Sequence, residues 1–397
     1  MSIVLLLGSC TQQQNEHTVS LIVSNPSQYD AMGVVDGVSL KALRDSLNAD
    51  IDDPILILDE EGSPVCTQIF NNGVEDLLLF ESHTLANGES KYTAHIGRTD
   101  SVFEPSVFVK CYPRRKDDLA WENESSIWRA YGPELKATDE RAYGYDIWCK
   151  NTAKLITEDR YRKFFRGYEI ADSLHALDLH AQADSTVKAM TFHENHGDGL
   201  DAYNVGPTLG GGTAALFPNG HIAFPWSYRS YEILAEGPLL AAFKLTYDTT
   251  YVAGDTLVEH RTIVTQKGTR FNIINVGYEG LTKPQPIVAG IVYHGDPDSI
   301  RLSSEGKYIC YSDPSDRAGS PEGRVMVGVY SPSLTQTLLE QGHLLAVSEY
   351  NPGDTFTYYM GSGWSLGDCP DLKAMETELK AMSETPRSVR IIVQQGN

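Results

Sequence analysis

Short apolar runs separated by turn residues dominate the chain, and this pattern predicts a structure built mostly from β-strands. Turn residues such as Asn25-Pro26 and Glu61-Gly62 follow the early runs directly. In one of the runs, apolar and polar positions alternate, as in a strand with one face buried. The clearest runs cover residues 21–23, 55–58, 107–112 and 287–294.

In the C-terminal third, the sequence pattern predicts a hairpin and two short helices. Residues 344–350 and 355–360 flank Asn351-Pro352-Gly353-Asp354, a typical hairpin signal. Apolar residues recur at helical spacing over 372–382, and 334–341 is predicted as a second short helix. Strands without regular intervening helices favour a large antiparallel β-sandwich over parallel βαβ units. We therefore expect one catalytic β-sandwich domain over 19–397, after a tether over 1–18.

Composition narrows the possible partners of this domain. The chain has 397 residues, with 32 Lys and Arg against 53 Asp and Glu, a formal charge of −21. A nucleic-acid binder needs a cationic track, so we expect no nucleic-acid partner. A polybasic membrane-surface domain is disfavoured for the same reason. The 21 Tyr suit carbohydrate surfaces and sheet packing alike, because each carries an apolar ring and a hydroxyl.

The first ten residues resemble a bacterial lipoprotein signal. An apolar run ends in Leu7-Gly8-Ser9-Cys10, and the polar residues after it would form a tether. This pattern predicts a lipid on Cys10 and a periplasmic protein anchored to the outer membrane. The alternative is a short strand that opens a cytosolic domain. The other five cysteines show no CxxC spacing, so a zinc site of that type is unsupported.

A first polar cluster covers residues 110–133. Arg129 and Tyr131 share one face of a predicted strand, near the aromatic Trp121. Arginine binds a carboxylate bidentately, and an aromatic ring can stack on a pyranose, so this cluster is typical of a sugar-acid site. The alternative is a surface loop with local salt bridges. The candidate substrate-binding residues here are Arg115, Lys116, Trp121, Glu122 and Asn123.

A second cluster covers residues 193–212, where His193, Asp198, Asp201 and Tyr203 lie among glycines. An irregular glycine-rich segment of this kind often presents catalytic groups from a rigid scaffold. One interpretation is a metal-free acid/base site that uses His193 and Tyr203. A metal site and a purely structural loop are alternatives, while a phosphate loop is nearly excluded because no Lys-Ser/Thr follows the glycines. We expect neither a metal nor a cofactor.

Two further segments have weaker signals. His294 ends a strand-like run and would reach a cleft between sheet loops, although a buried core histidine fits equally well. Residues 358–364 combine aromatic residues with glycines and are expected to fill the core. The string Gly363 to Gly367 matches GxSxG, but no histidine follows it in the chain, so a nucleophile elbow is not predicted.

Several of these strings resemble a Bacteroidota family of β-sandwich lipoproteins, formerly of unknown function (DUF4861-type), encoded among polysaccharide-utilisation genes. One branch of that family is an ulvan oligosaccharide dehydratase. The resemblance covers nearly all of the chain after the tether. It is carried by Asn25-Pro26, residues 115–118 and 121–123, Arg129, residues 131–133, Asp146, Trp148, His193, Gly197, Gly199, Asp201, Tyr203, Val205-Gly206, Gly210, residues 290–295, Tyr358-Tyr359, Gly361 and residues 363–365. It implies a galactose-mutarotase-like fold.

We therefore expect β-elimination at a uronic acid of an oligosaccharide, with water or a sugar lost from C4. In this hypothesis Arg129 or Arg115 binds the carboxylate and His193 is the base. The acid is Tyr203 or Tyr131, and His294 can exchange roles with His193. Asp201, Glu122 and Asn123 orient the histidine and the sugar hydroxyls. The alternatives are a glycoside hydrolase that pairs Glu122 or Glu194 with an aspartate, a non-catalytic sugar-binding lipoprotein and an aldose mutarotase.

Overall fold

A computed structural model describes residues 18–314, 322–384 and 386–393 of the chain. Antiparallel sheets with a few helices make up this part, so the prediction of a mostly β, antiparallel protein is confirmed. The lipoprotein signal with Cys10 lies outside the described residues. Within the described ranges, no helix has the length and apolar character needed to cross a membrane.

Two small sheets at the N-terminal side share one apolar core. Their strands are β1 (Thr18–Asn25), β2 (Ala31–Ser39), β3 (Ile55–Leu58), β4 (Thr67–Asn71), β5 (Asp76–Thr84), β6 (Gly88–Ile96) and β25 (Ser388–Val393). The strand orders are β25-β1-β6-β3 and β2-β5-β4. Helix α1 (Leu40–Leu47) buries Leu43 and Leu47 in this core. Because β25 pairs with β1, both ends of the described chain meet in one sheet.

A five-stranded sheet carries the polar residues of interest. It contains β7 (Phe108–Tyr112), β8 (Asp118–Glu122), β9 (Ser126–Ala130), β10 (Asp146–Lys150) and β11 (Gly199–Asp201), in the order β11-β10-β9-β8-β7. One face packs Trp121 and Trp128 into the main core. The other face is buried as well. Helices α2 (Pro133–Ala137), α3 (Thr157–His175) and α4 (His180–Met190) lie between these strands in the chain.

Two large sheets complete the main core together with this five-stranded sheet. One has the order β12-β18-β23-β22, and the other is nine-stranded with the order β13-β14-β16-β17-β24-β21-β20-β19, in which β15 also pairs with β16. Helix α5 (Leu372–Ala381) buries Met375 and Leu379 against the nine-stranded sheet. The strands are β12 (Gly211–Leu216), β13 (Tyr228–Ala235), β14 (Leu240–Tyr247), β15 (Thr250–Val252), β16 (Asp255–Gln266), β17 (Phe271–Glu279), β18 (Gln285–Val292), β19 (Ile300–Ser303), β20 (Tyr308–Asp313), β21 (Val325–Tyr330), β22 (Gln336–Glu340), β23 (His343–Tyr350) and β24 (Phe356–Trp364).

Local predictions near the C-terminus were right for the last helix and wrong at two other places. Residues 334–341 do not form a helix, because β22 pairs along its length with β23. The predicted hairpin is also wrong, since β23 and β24 belong to different sheets. The turn does form, and the Asn351 amide donates to the Asp354 carboxylate at 2.9 Å. A turn signal marks the reversal of the chain, whereas sheet partners depend on long-range packing.

Candidate functional site

Arg129 is the centre of a buried ionic cluster on the outer face of the five-stranded sheet. Its guanidinium lies 3.2 Å from Asp118, 2.5 Å from Asp146 and 3.2 Å from Asp201. Only 4% of Arg129 is exposed. Strand pairing explains the grouping, because Arg129 on β9 faces Asp146 on β10 in register, and Asp118 begins the neighbouring β8.

Three aromatic rings enclose this guanidinium. The Arg129 guanidinium carbon lies 5.2 Å from the ring of Tyr131, 5.3 Å from that of Trp148 and 5.9 Å from that of Phe192. Trp148 also donates its indole N–H to Asp146 at 3.1 Å. The opposing charges of Asp146 and Asp118 raise the pKa of Arg129 well above its usual value despite burial. The guanidinium is therefore a permanent, fixed cation.

His193 lies at the open side of this cluster, held there by its neighbour Phe192. The Phe192 ring is buried, stacking on Trp148 at 4.3 Å and on Phe164 at 4.4 Å. The Phe192 carbonyl accepts the N–H of Asp201 at 2.8 Å, which closes the intervening loop. His193 Nδ1 then lies 3.3 Å from Asp201 Oδ2, while 48% of the imidazole is exposed.

The electrostatics of His193 suit a base. Burial lowers its pKa, and the positive charge of Arg129 lowers it further, while Asp146 partly opposes this effect. Since Asp201 accepts from one ring nitrogen, the other nitrogen carries the free lone pair. His193 is thus a neutral, oriented acceptor near pH 7.

His294 forms a second aspartate–histidine pair. Its Nδ1 lies 2.7 Å from Oδ2 of Asp313, which is fully buried, and its imidazole is 25% exposed. The Tyr203 ring lies 6.1 Å from the His294 ring. Burial raises the pKa of Tyr203 well above its usual value, and the charges of both Asp313 and Asp146 add to this. The pKa of Tyr203 therefore responds to charges in the His294–Asp313 pair and in the Arg129 cluster.

Glycines allow the backbone to approach closely around these groups. Gly199 has φ +125°, and a Cβ there would lie 1.9 Å from the Cys149 carbonyl oxygen. Gly210 has φ +54°, and a Cβ would lie 2.4 Å from the carbonyl oxygen of Tyr145. Either position would need a backbone shift to accept a side chain. The glycine-rich segment is therefore built to lie against β10.

Comparison with known proteins places the chain in a family. The model of a domain of unknown function, DUF4861, matches residues 23–388. The chain belongs to the DUF4861 family. An uncharacterised protein, P7, from Formosa agariphila is 23% identical over 412 aligned residues, covering 97% of this chain and 96% of that protein.

Two solved structures have a similar fold at low identity. An α-mannosidase from Enterococcus faecalis V583 has a TM-score of 0.53 and 9% identity, over 96% of this chain and 46% of the mannosidase. A glycosyl hydrolase family 38 protein from Enterococcus faecalis has a TM-score of 0.52 and 10% identity, over 94% of this chain and 47% of that protein. The DUF4861 chain thus spans about half the length of these solved structures, and the similarity shows the fold.

Two of the predicted substrate-binding cations have different environments in this DUF4861 protein. Lys116 pairs with Glu140. Arg115 forms no ion pair among the residues that the structure describes, and its guanidinium lies 5.9 Å from the ring of Phe164. Its charge nevertheless lowers the pKa of His193. Arg115 therefore lies on the His193 side of the site, beside the Phe164 ring that stacks on Phe192.

Three other predicted substrate-binding residues are interior. Trp121 is fully buried and donates its indole N–H to Asn272. Glu122 is fully buried, pairs with Lys150 at 2.7 Å and accepts the N–H groups of residues 156 and 157 at the start of α3. Asn123 is 1% exposed and donates to the Thr269 carbonyl. These side chains support the fold beside the site, and we assign them no ligand contact.

The remaining predicted residues also differ in their burial and in their contacts. Asp198 pairs with Arg160 and fixes the loop that carries His193. Tyr203 is 5% exposed and donates its hydroxyl to the Gly210 carbonyl at 3.2 Å. Tyr131 is half-buried, and its ring lies beside the Arg129 guanidinium. The structure describes no group of three or more potential ligands suited to a metal ion.

Sequence reasoning missed several residues that shape the site. Asp118 and Asp146 hold Arg129, Phe192 places His193, and Asp313 orients His294. The alternation of Asp146, Trp148 and Lys150 along one strand face was a signal for a polar buried face. Asp313 had no local signal, because its partner lies on another element of the chain.

Proposed function

We propose that this protein catalyses β-elimination at a uronic acid of a short oligosaccharide, with loss of water or a sugar from C4. The observation that carries the proposal is His193, which Asp201 holds through Nδ1 beside the fixed charge of Arg129. This arrangement supplies a neutral, oriented base, which abstraction of a proton next to a carboxylate requires.

Arg115 is the better candidate for the substrate carboxylate. The proton at C5 is weakly acidic while the neighbouring carboxylate is charged, so a cation must stabilise the enolate-like intermediate. Arg129 already faces three carboxylates and is almost fully buried. Arg115 is half-buried and within electrostatic reach of His193. Arg129 then acts as a positioning residue that keeps Asp201 and His193 in place.

The proton and electron transfers balance with residues of this chain. His193 takes the C5 proton through Nε2, the electron pair forms the C4–C5 double bond, and the C4–O bond breaks. Tyr131 donates its hydroxyl proton to the leaving oxygen. Burial and the charge of Asp146 raise the pKa of Tyr131 well above its usual value, so it retains that proton until transfer. Solvent then restores both groups.

His294 remains the alternative acid or base. Its pairing with Asp313 parallels that of His193 with Asp201. Tyr203 is a weaker candidate for the acid, because its hydroxyl already donates to a backbone carbonyl and its ring is almost fully buried. A substitution of each histidine separates these roles.

The carbohydrate substrate class rests on the family and on charge. The family resemblance and the fold shared with a mannosidase both support a sugar substrate. The net charge of −21 would repel a long polyanion, which favours a short oligosaccharide with one uronate near Arg115. We also propose that a lipid on Cys10 anchors the protein to the outer membrane, facing the periplasm.

Absorbance near 235 nm tests the reaction directly. The purified protein, with the lipoprotein signal removed, is incubated with glucuronate-terminated oligosaccharides. We expect absorbance to rise as the 4,5-unsaturated uronate forms, and product mass to distinguish loss of water from cleavage. Saccharide release without a rise in absorbance would instead establish hydrolysis, the second candidate that the mannosidase-like fold favours. Binding without any product would indicate a sugar-binding protein.

A further inference from the structure

A separate cavity of about 270 Å³ opens between the segment after β12 and the β14–β15–β16 strands. None of its lining residues belongs to the His193 or His294 groups. Its volume is just below the range of roughly 300–1,000 Å³ that is usual for ligand pockets. The cavity therefore has room for one small ring rather than for a chain of several.

Five aromatic residues contribute to the wall of this cavity. Its lining includes Phe224, Trp226, Tyr247, Tyr251 and Tyr278. The edge of Tyr143 packs against Trp226, with ring centroids 5.4 Å apart at 73°, and fixes the indole in place. Tyr251 is 75% exposed at the mouth. The exposed Tyr251 ring and the half-buried Trp226 indole therefore leave apolar surface that a ligand can contact.

Two carboxylates contribute the polar part of the lining, and both are already paired. Glu259 is 11% exposed and pairs with Arg261, which is fully buried. Arg261 also donates to the Tyr145 hydroxyl at 3.1 Å and lies 4.5 Å from the ring of Tyr247. Asp248 pairs with Lys136 at 2.7 Å. Each carboxylate keeps acceptor capacity, but its charge is compensated.

From these features we infer that the cavity binds a single neutral sugar ring. Aromatic faces suit the C–H face of a pyranose, and fixed carboxylate oxygens accept hydrogen bonds from its hydroxyls. An anionic sugar would meet two lining carboxylates, and of the two cations over the Trp226 ring, Lys136 is already paired with Asp248 and Arg141 lies 5.9 Å away. An organic cation would gain little, because Lys136 and Arg261 already compensate those carboxylates. The site is independent of the proposed elimination chemistry.

Tryptophan fluorescence offers a direct measurement of this binding. The chain has five Trp, and four of them are buried at 2% exposure or less, whereas Trp226 is half-buried in the cavity wall. The protein is titrated with methyl β-D-glucopyranoside, methyl β-D-xylopyranoside, D-glucuronate and tetramethylammonium. We expect a saturable fluorescence change with at least one neutral glycoside, and none with the two charged probes.

Variants locate the signal and separate it from catalysis. Trp226→Phe should abolish the fluorescence change, and Tyr251→Ala should weaken binding about tenfold through loss of a stacking face. Tyr168→Ala removes another exposed tyrosine, on α3 and outside the cavity lining, and should change nothing. His193→Ala should bind the glycoside normally, so failure of the elimination proposal leaves this one intact. No saturable change up to tens of millimolar, a change that persists in Trp226→Phe, or binding of a charged probe alone would overturn the inference.

Discussion

The same face of the five-stranded sheet carries two buried ionic groups with different character. Lys150 and Glu122 are both fully buried, and their polar atoms bond to each other and to backbone groups around α3. Arg129 faces three carboxylates, one of which also contacts the exposed imidazole of His193. The first group is closed within the protein, whereas the second reaches solvent.

The two groups also differ in how completely they are satisfied. In the Arg129 group, Nε of Arg129 and one oxygen each of Asp118 and Asp146 have no hydrogen-bond partner among the described residues. Burial raises the pKa of Asp118 even though Arg129 is adjacent. The Arg129 group thus combines unmatched buried polar atoms with access to solvent through His193, whereas the side-chain polar atoms of Lys150 and Glu122 are matched within the protein.

The largest expected effect is on turnover in His193→Ala. Loss of the base should reduce the rate of the 235 nm increase by about 10²–10⁴-fold, because general-base catalysis contributes on that scale. The thermal unfolding midpoint should stay near that of the wild type, since the imidazole is half exposed. His196→Ala is the matched control, because His196 lies in the same loop and bonds only to a backbone carbonyl in the described structure. Equal activity of His193→Ala and wild type would exclude His193 as the base.

The next prediction separates the two ionic groups by turnover at an equal loss of stability. Arg129→Met and Lys150→Met should each lower the free energy of unfolding by about 3–5 kcal/mol, because each leaves a buried carboxylate unpaired. Urea titration measures this loss. Turnover per folded molecule should fall only in Arg129→Met, since the Lys150 ammonium bonds to Glu122 and to the Asn123 carbonyl rather than to the His193 group in the described structure. A similar fall in both variants would contradict the division between support and chemistry.

Arg115→Ala should weaken substrate binding and also lower kcat, because the same guanidinium is proposed to stabilise the enolate-like intermediate. Removal of a charge-assisted contact to the substrate carboxylate costs about 1.5–3 kcal/mol, or roughly tenfold to a hundredfold in KM. Stability should not change, because Arg115 forms no ion pair within the described residues. Arg114→Ala is the control, since Arg114 pairs on the surface with Glu169. An unchanged KM in Arg115→Ala would move the carboxylate site elsewhere.

The smallest effect is on the pH profile. Burial and Arg129 lower the pKa of His193 below its usual value of about 6.5, so protonation inactivates the base only at lower pH. The acidic limb of kcat/KM should therefore have its midpoint below that value. Arg129→Met should shift the midpoint upward, because a positive charge that opposes protonation is removed. A midpoint above 6.5 in the wild type would mean that another group titrates.

Local periodicity accounts for most strands and for the last helix, and it also marks α3, which sequence reasoning missed. Tyr161, Phe164, Phe165 and Tyr168 recur at helical spacing, and Tyr161 is fully buried with Phe164 and Phe165 packed beside it. Glu122 on β8 also caps the start of this helix by accepting the N–H of Thr157. In α4 the buried residue is Ala183, so the apolar pattern of that helix is weak.

The site was predictable where residues share a strand or a loop. Alternation places Arg129 and Tyr131 on one face, and the short loop from His193 to Asp201 brings those two together. Contacts between distant segments had no such signal, as for Arg129 with Asp201 and His294 with Asp313. Trp121 was predicted to bind substrate because an aromatic ring can stack on a sugar, but the structure buries this side chain in the core.

The central claim is that His193 removes the C5 proton of a uronate, and proton NMR of the reaction tests it most directly. With a glucuronate-terminated oligosaccharide and wild-type protein, we expect the C5 proton signal to disappear as a vinylic C4 proton signal appears. His193→Ala should leave both signals unchanged over the same period. Products that retain the C5 proton, with new reducing-end signals and no vinylic proton, would contradict the account and establish hydrolysis.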